Sequence, residues 1–148
     1  TTIKKRLETV KLLSENGIPV NVMIAPIIPS INSHEILPLA KAASDNGARA
    51  IGHTIVRLNG AIGHIFTDWI KKTLPDRADR VLAQIKDCHG GTLNESRYGV
   101  RMRGEGQIAN QIHSMIKIAK TKYFKDRDMP KLNCTMHETY KDGQLKLL

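Results

Sequence analysis

Cysteine is scarce in this chain, with Cys88 and Cys134 the only two among 148 residues. A secreted disulfide scaffold would be richer in them, so a reducing cytoplasm is the expected setting. No apolar run approaches the roughly 20 residues that a membrane-spanning helix needs. The opening Thr1-Thr2-Ile3-Lys4-Lys5-Arg6 lacks the apolar core of a signal peptide. It starts without Met inside a helical pattern, which reads as a piece of a longer protein. Acidic residues are also in deficit, 14 against 23 Lys and Arg, for a formal charge of +9. Such a surface favours phosphate-bearing partners through field steering and counterion release. The competing account is that another part of a longer protein balances the charge. What is present is 41% hydrophobic, enough for one domain with a core and too much for a disordered tail.

The hydrophobic pattern begins with an amphipathic helix, its stripe made by Ile3, Leu7, Val10 and Leu13. Asn16-Gly17 stops it, with Gly17 suited to a left-handed C′ position. Residues 18–28 read as a strand that Pro26 and Pro29 bring to an end, because proline cannot donate to a ladder. Asn32 followed by Glu35 has capping-box spacing for a second helix over residues 33–46, with Ile36, Leu39, Ala40 and Ala43 on its apolar stripe. Asn46-Gly47 stops that helix as Asn16-Gly17 stops the first, and residues 48–58 read as a second strand. The helix–Asn-Gly–strand unit thus occurs twice, with 30 residues between Gly17 and Gly47, a spacing that suits successive αβ units of a parallel sheet.

Beyond Asn59-Gly60 the pattern turns helical. Phe66, Trp69 and Ile70 mark one helix; Ala78, Val81, Leu82 and Ile85 mark another, closed by Gly90-Gly91. Tyr98 to Arg103 reads as a short extended segment, and Ile108, Ile112, Met115, Ile116 and Ala119 as a long helix. Residues 1–60 therefore form an αβαβ part and residues 61–148 a mainly helical C-terminal extension. Two parallel strands alone make a poor sheet, since such strands normally have neighbours and both faces covered. A complete (β/α)8 barrel needs about 250 residues. Self-association through strands, or through the helices facing them, is expected because unpaired strand edges invite it.

Gly17-Ile18-Pro19-Val20-Asn21-Val22-Met23-Ile24-Ala25-Pro26-Ile27-Ile28-Pro29, followed by Asn32-Ser33-His34-Glu35-Ile36, resembles the fifth strand and following helix of radical S-adenosylmethionine (radical SAM) proteins. Ile55-Val56-Arg57-Leu58 resembles the sixth strand of the spore photoproduct lyase-like group, often labelled "DNA repair photolyase" by homology. Pro75-Asp76-Arg77-Ala78 with Val81-Leu82, then Gly90-Gly91, resembles the helical region that follows, and Gly143-Gln144-Leu145 resembles that group's C-terminus. The resemblance spans nearly the whole chain and rests on the order and spacing of these segments.

The resemblance implies an α/β parent, a partial (β/α)6 TIM-like barrel of which this chain is the C-terminal fragment: two parallel strands, flanking helices and the extension. The parent would bind a [4Fe-4S] cluster through CxxxCxxC and cleave S-adenosylmethionine to a 5′-deoxyadenosyl radical, acting on a DNA lesion or another nucleic-acid substrate. Two cysteines cannot supply the three thiolates of that loop. The chain alone is therefore expected to hold neither cluster nor S-adenosylmethionine and to catalyse nothing, with no catalytic residue of its own. Its first partner would be the missing N-terminal half.

Barrel enzymes place ligands at the C-terminal ends of their strands. That points to Met23, Ala25, Pro26 and Ile27 on the first strand and Thr54, Val56, Arg57 and Leu58 on the second as the adenosyl side of the cofactor site in the parent. For Met and Val the competing reading is core packing. Arg57 can grip a carboxylate or phosphate bidentately, or form a surface ion pair. His53 can face either the lumen or the helix layer. Cys88-His89 and Cys134-Thr135-Met136-His137 raise zinc, but their spacing fits no standard finger and Cys88 falls on the Leu82–Ile85 stripe, so a buried inert thiol is the better reading. Gly104-Glu105-Gly106 hints at an anion loop, with a flexible helix start as the better alternative.

DNA contact is expected from Arg97, Tyr98, Arg101 and Arg103, with the arginines tracking phosphates and Tyr98 stacking on a base. Lys117, Lys120, Lys122, Lys125 and Arg127 extend the basic segment, or form a solvated face. Two further readings compete with the enzyme fragment: a non-catalytic nucleic-acid-binding module, and an autonomous αβ interaction domain.

Overall fold

The computed structural model describes residues 2–135. Helix α1 (Ile3–Glu15) leads into strand β1 (Asn21–Ile27); a 3-10 turn (Ser33–Glu35) and α2 (Ile36–Asp45) lead into β2 (Ala50–Ile55). Among the described residues, helices α3 (Ala61–Thr73), α4 (Pro75–Asp87) and α5 (Gly106–Tyr123) follow. Among the described residues no helix is long and apolar enough to cross a membrane.

The two strands pair in parallel, with Asn21 opposite Ala50 and Ile24 opposite His53. Both helix stops form as their sequence dictates: Gly17 and Gly47 take φ of 75° and 89°, where a glycine carries no Cβ penalty. The first strand begins three residues later than expected, at Asn21. Its register slips between Ile24 and Ile27, where Pro26 has no N–H to offer the ladder. The Ala25–Pro26 peptide is cis.

Asn32 does not cap α2 through its side chain. Its Oδ1 instead accepts from the Ile28 N–H (2.7 Å) and its Nδ2 donates to the Pro26 carbonyl (3.1 Å). The Ile27 carbonyl accepts from Val56 N–H of the neighbouring chain segment. Alternation along a strand therefore turns Pro26 C=O and Ile28 N–H to the opposite edge. One carboxamide supplies there what a third strand would have supplied.

Two apolar clusters hold the fold. In the first, Ile24, Ile27, Ile51 and Ile55 from the strands meet Ile36, Ala40 and Ala43 of α2 and Ala109, Ile112, Ile116 and Ala119 of α5. In the second, Val56 and Leu58 beyond β2 meet Ile70 of α3 and Ala78, Val81, Leu82 and Ile85 of α4. Each fully buried isoleucine contributes about 1.5–3 kcal/mol relative to exposure. Helix α5, which the sequence places in the extension, packs in the same core as the strands, so the boundary at residue 60 does not divide the core. Helix α1 buries no residue, and Ile3 and Leu12 are exposed.

Candidate functional site

Among the described residues the strand pair is covered on one face only. Ile24, Ile51 and Ile55 are buried under α2 and α5, whereas on the other face Asn21, Met23 and Ala25 are exposed and Gly52 and Thr54 half-buried. The sulfur of Met23 lies directly over Gly52, where a Cβ would collide with it. The open face is thus paved with small or flexible groups. Of the residues expected at the cofactor side, Met23, Ala25 and Thr54 belong to it, and Pro26 is exposed beside it. The side chain of Ile27 is only 1% exposed and belongs to the main core; Val56 and Leu58 belong to the second cluster. The register slip explains Ile27: one extra residue on β1 turns it to the helix layer.

Arg57 is tethered through one nitrogen of its guanidinium. Its Nη1 donates to the Glu95 carbonyl at 3.2 Å. Glu95 itself is buried and takes three hydrogen bonds from Arg97, one from its backbone N–H and two from its guanidinium. Those hydrogen bonds hold the Glu95 carboxyl down at about 2. Arg97 also pairs with Glu105, and the two carboxylates push its own pKa up. Arg97, expected among the phosphate contacts, is thus paired with two carboxylates of its own loop. The segment after it is not extended. Val100 N–H and Arg101 N–H both donate to the Arg97 carbonyl, and Arg103 and Gly104 donate to Val100. Consecutive turns replace the expected two-residue alternation of the arginines. Tyr98 stands 93% exposed at the tip, with Arg101 and Arg103 exposed after it.

The loop is fastened along the outer edge of β2. Ile55 N–H donates to Met102 O (3.0 Å) and Leu58 N–H to Leu93 O (2.8 Å). An open cleft of about 530 Å³ lies where the chain leaves β2, lined by Leu58, Gly60, His64, Lys71, Thr92 and Asn94 among others.

His53 faces the helix layer. Its ring meets His113 of α5 edge-on at 5.2 Å between centroids, and its buried Nε2 has no partner among the described residues. Burial lowers its pKa, and His113, Lys120 and Arg103 lower it further. Cys88 is fully buried, and burial pushes its thiol up to about 11. His89 beside it is buried with Nε2 at 2.7 Å from the Val56 carbonyl, so neither group points to a shared ligand. Cys134 is exposed, and Met136, His137 and the Gly143-Gln144-Leu145 ending lie outside the described residues.

The α5 start is already occupied by an anion of the chain's own: Asp87 Oδ2 accepts from Ile108 N–H at 3.1 Å. Gly106, at φ 88°, allows this approach, since a Cβ there would sit 2.8 Å from the Asp87 carbonyl. Arg127, expected in the basic segment, donates instead to the Ser44 and Ala48 carbonyls at the end of α2.

Sequence reasoning missed the Asn32 strand cap, the buried Glu95 and the His89–Val56 link. A carboxylate two residues before an arginine was a local signal for Glu95; the other two join segments with no shared pattern. No protein-family model, curated protein or solved structure matches the chain.

Proposed function

We propose that this chain is the C-terminal share of a radical SAM (β/α)6 barrel and that the open face of β1 and β2 is its lumen wall, on the adenosyl side of the S-adenosylmethionine site. The observation that carries this reading is the one-sided parallel pair. Parallel strands are normally covered on both faces, and here helices cover the Ile24–Ile51–Ile55 face alone. A barrel interior is the setting in which such a pair keeps helices on one side. Small groups at Ala25, Gly52 and Thr54 leave space for a flat heterocycle, and Met23 is free to move over it. Ile27, Val56 and Leu58 then shape the site through backbone, and Arg57 fixes the loop at Glu95 rather than touching the cofactor.

The chain's own residues do not fit a [4Fe-4S] cluster. Three thiolates are required; Cys88 is sealed in the core and Cys134 is exposed. On this reading the ligands come from elsewhere in the protein. The contribution of this chain is to bind and orient the adenosyl group and to exclude water from it. The exposed Ile3, Leu12, Ile18 and Met23, with one strand edge held among the described residues by Asn32 alone, support pairing with a missing neighbour or, in isolation, self-association.

The test is the open reading frame upstream of Thr1, followed by anaerobic reconstitution of the longer protein with iron and sulfide. The expected results are CxxxCxxC upstream, formation of 5′-deoxyadenosine, and S-adenosylmethionine binding that Gly52→Trp abolishes in calorimetry. A longer protein lacking that motif, or one whose S-adenosylmethionine binding is indifferent to Gly52→Trp, overturns the reading.

A further inference from the structure

From Gln107 to Lys125 the chain contains no Asp or Glu, and from Gly47 to Thr67 it again contains none. The fold brings these two acid-free stretches together, because α5 packs against β2. The buried residues of α5 are Ala109, Ile112, Ile116 and Ala119. At 3.6 residues per turn, His113, Lys117 and Lys120 then fall on one flank of the helix. Arg103 heads the same flank, since its carbonyl lies 3.0 Å from His113 Nε2. Lys120 and Arg103 both lower the pKa of His53, which packs against His113.

Arg103, Lys117 and Lys120 are exposed, and among the described residues none takes part in an ion pair. Several basic groups elsewhere in the chain are compensated. Lys11, Lys41 and Lys72 each face a carboxylate one turn away, Arg97 faces two, and Arg127 is spent on carbonyls. Beside the stripe, the turn closed at the Arg97 carbonyl sets Arg101 one turn from Tyr98, at the tip of a loop braced by Glu95 and Glu105.

We propose that Arg103, Lys117 and Lys120, with Arg101 and Tyr98 beside them, form a binding face for single-stranded nucleic acid. From His113 to Lys120 the stripe runs about 10 Å at 1.5 Å per residue, room for about three successive phosphates. Cations fixed along a groove track the backbone, and an exposed aromatic gives a base a stacking surface without demanding a sequence. The face is not the run of alternating arginines that the sequence suggests: Arg97 leaves it and the α5 lysines enter it. It stands on charge and placement alone and does not require the barrel reading.

The experiment is fluorescence anisotropy of the full chain with a labelled oligothymidylate, titrated at several salt concentrations. Each phosphate contact on a single strand contributes about 0.7 to the slope of log K against log salt. Arg103→Ala/Lys117→Ala/Lys120→Ala is expected to lower that slope by about 2, and Tyr98→Ala to weaken binding at least about fivefold. Lys4→Ala/Lys5→Ala/Lys11→Ala on α1 removes the same charge and is expected to leave the slope nearly unchanged. Equal losses in the two triple variants, no binding at 50 mM salt, or binding to phosphatidylserine vesicles but not to oligothymidylate would each overturn the proposal. Far-ultraviolet circular dichroism checks that every variant keeps its fold.

Discussion

The imidazole Nε2 of His89 stands 2.7 Å from the carbonyl oxygen of Val56, and its Nδ1 is buried without a partner among the described residues. A carbonyl can only accept, so Nε2 carries the proton and donates. This one bond ties the end of α4 to the segment that leaves β2. Replacing His89 with Ala leaves a buried carbonyl unpaired and a cavity around it, at a cost of about 2–4 kcal/mol. Urea unfolding is the measurement. His64→Ala, at an exposed position, is the comparison and should shift stability by no more than about 0.5 kcal/mol.

Two glycines separate crowding by a mobile side chain from crowding by backbone. A Cβ at Gly52 meets the sulfur of Met23, whose side chain is 53% exposed and free to swing aside. A Cβ at Gly106 meets the Asp87 carbonyl from a residue at φ 88°. Gly52→Ala should therefore cost under about 1 kcal/mol, and Gly106→Ala about 1–3 kcal/mol. Thermal unfolding of the two variants checks the order; the reverse order would refute the placement of α5 on α4.

The His53 pKa is lowered in the folded chain, first by burial and then by His113, Lys120 and Arg103. The unfolded chain therefore takes up this proton at a higher pH than the folded chain does. Its contribution to stability is fully present above the ordinary histidine value of 6.5. It is lost as pH falls from there through the folded value. His53→Gln removes that dependence. Urea midpoints at pH 7.5 and 5.5 should differ less for His53→Gln than for the parent chain.

Thiol chemistry should distinguish the two cysteines. Cys88 is buried with its thiol pushed up to about 11, and Cys134 is exposed. At pH 8 an aromatic disulfide reagent should label one thiol per native chain rapidly and the second only in denaturant. Cys134→Ser should abolish the fast phase, and Cys88→Ser should leave it intact.

The elements that a local pattern specifies are legible in the sequence. Gly17 and Gly47 stop their helices because each follows an asparagine at the end of an apolar stripe. Ile112, Ile116 and Ala119 recur with the helical period and lie in the core. The parallel pairing follows from the repeated αβ unit. Less legible was any group whose role depends on a residue far along the chain. Asn32 has the spacing of a helix cap, yet it serves the edge of β1, because two unpaired strand groups lay within reach of its carboxamide. Arg97, Arg101 and Arg103 alternate as though extended, but Glu95 and Glu105 capture the first of them, and the turns that follow destroy the alternation.

By itself the sequence determined periodicity, stops, the inert thiol at Cys88 and a cationic balance of +9, because each of these needs only neighbours within a turn or two of chain. The tertiary structure decided which face of the strand pair stays open, which way His53 turns, and which cations keep their charge uncompensated. Those outcomes depend on register and on partners tens of residues apart. One inserted residue at Pro26 reverses what Ile27 faces, and one distant carboxylate removes an arginine from the surface available to a ligand.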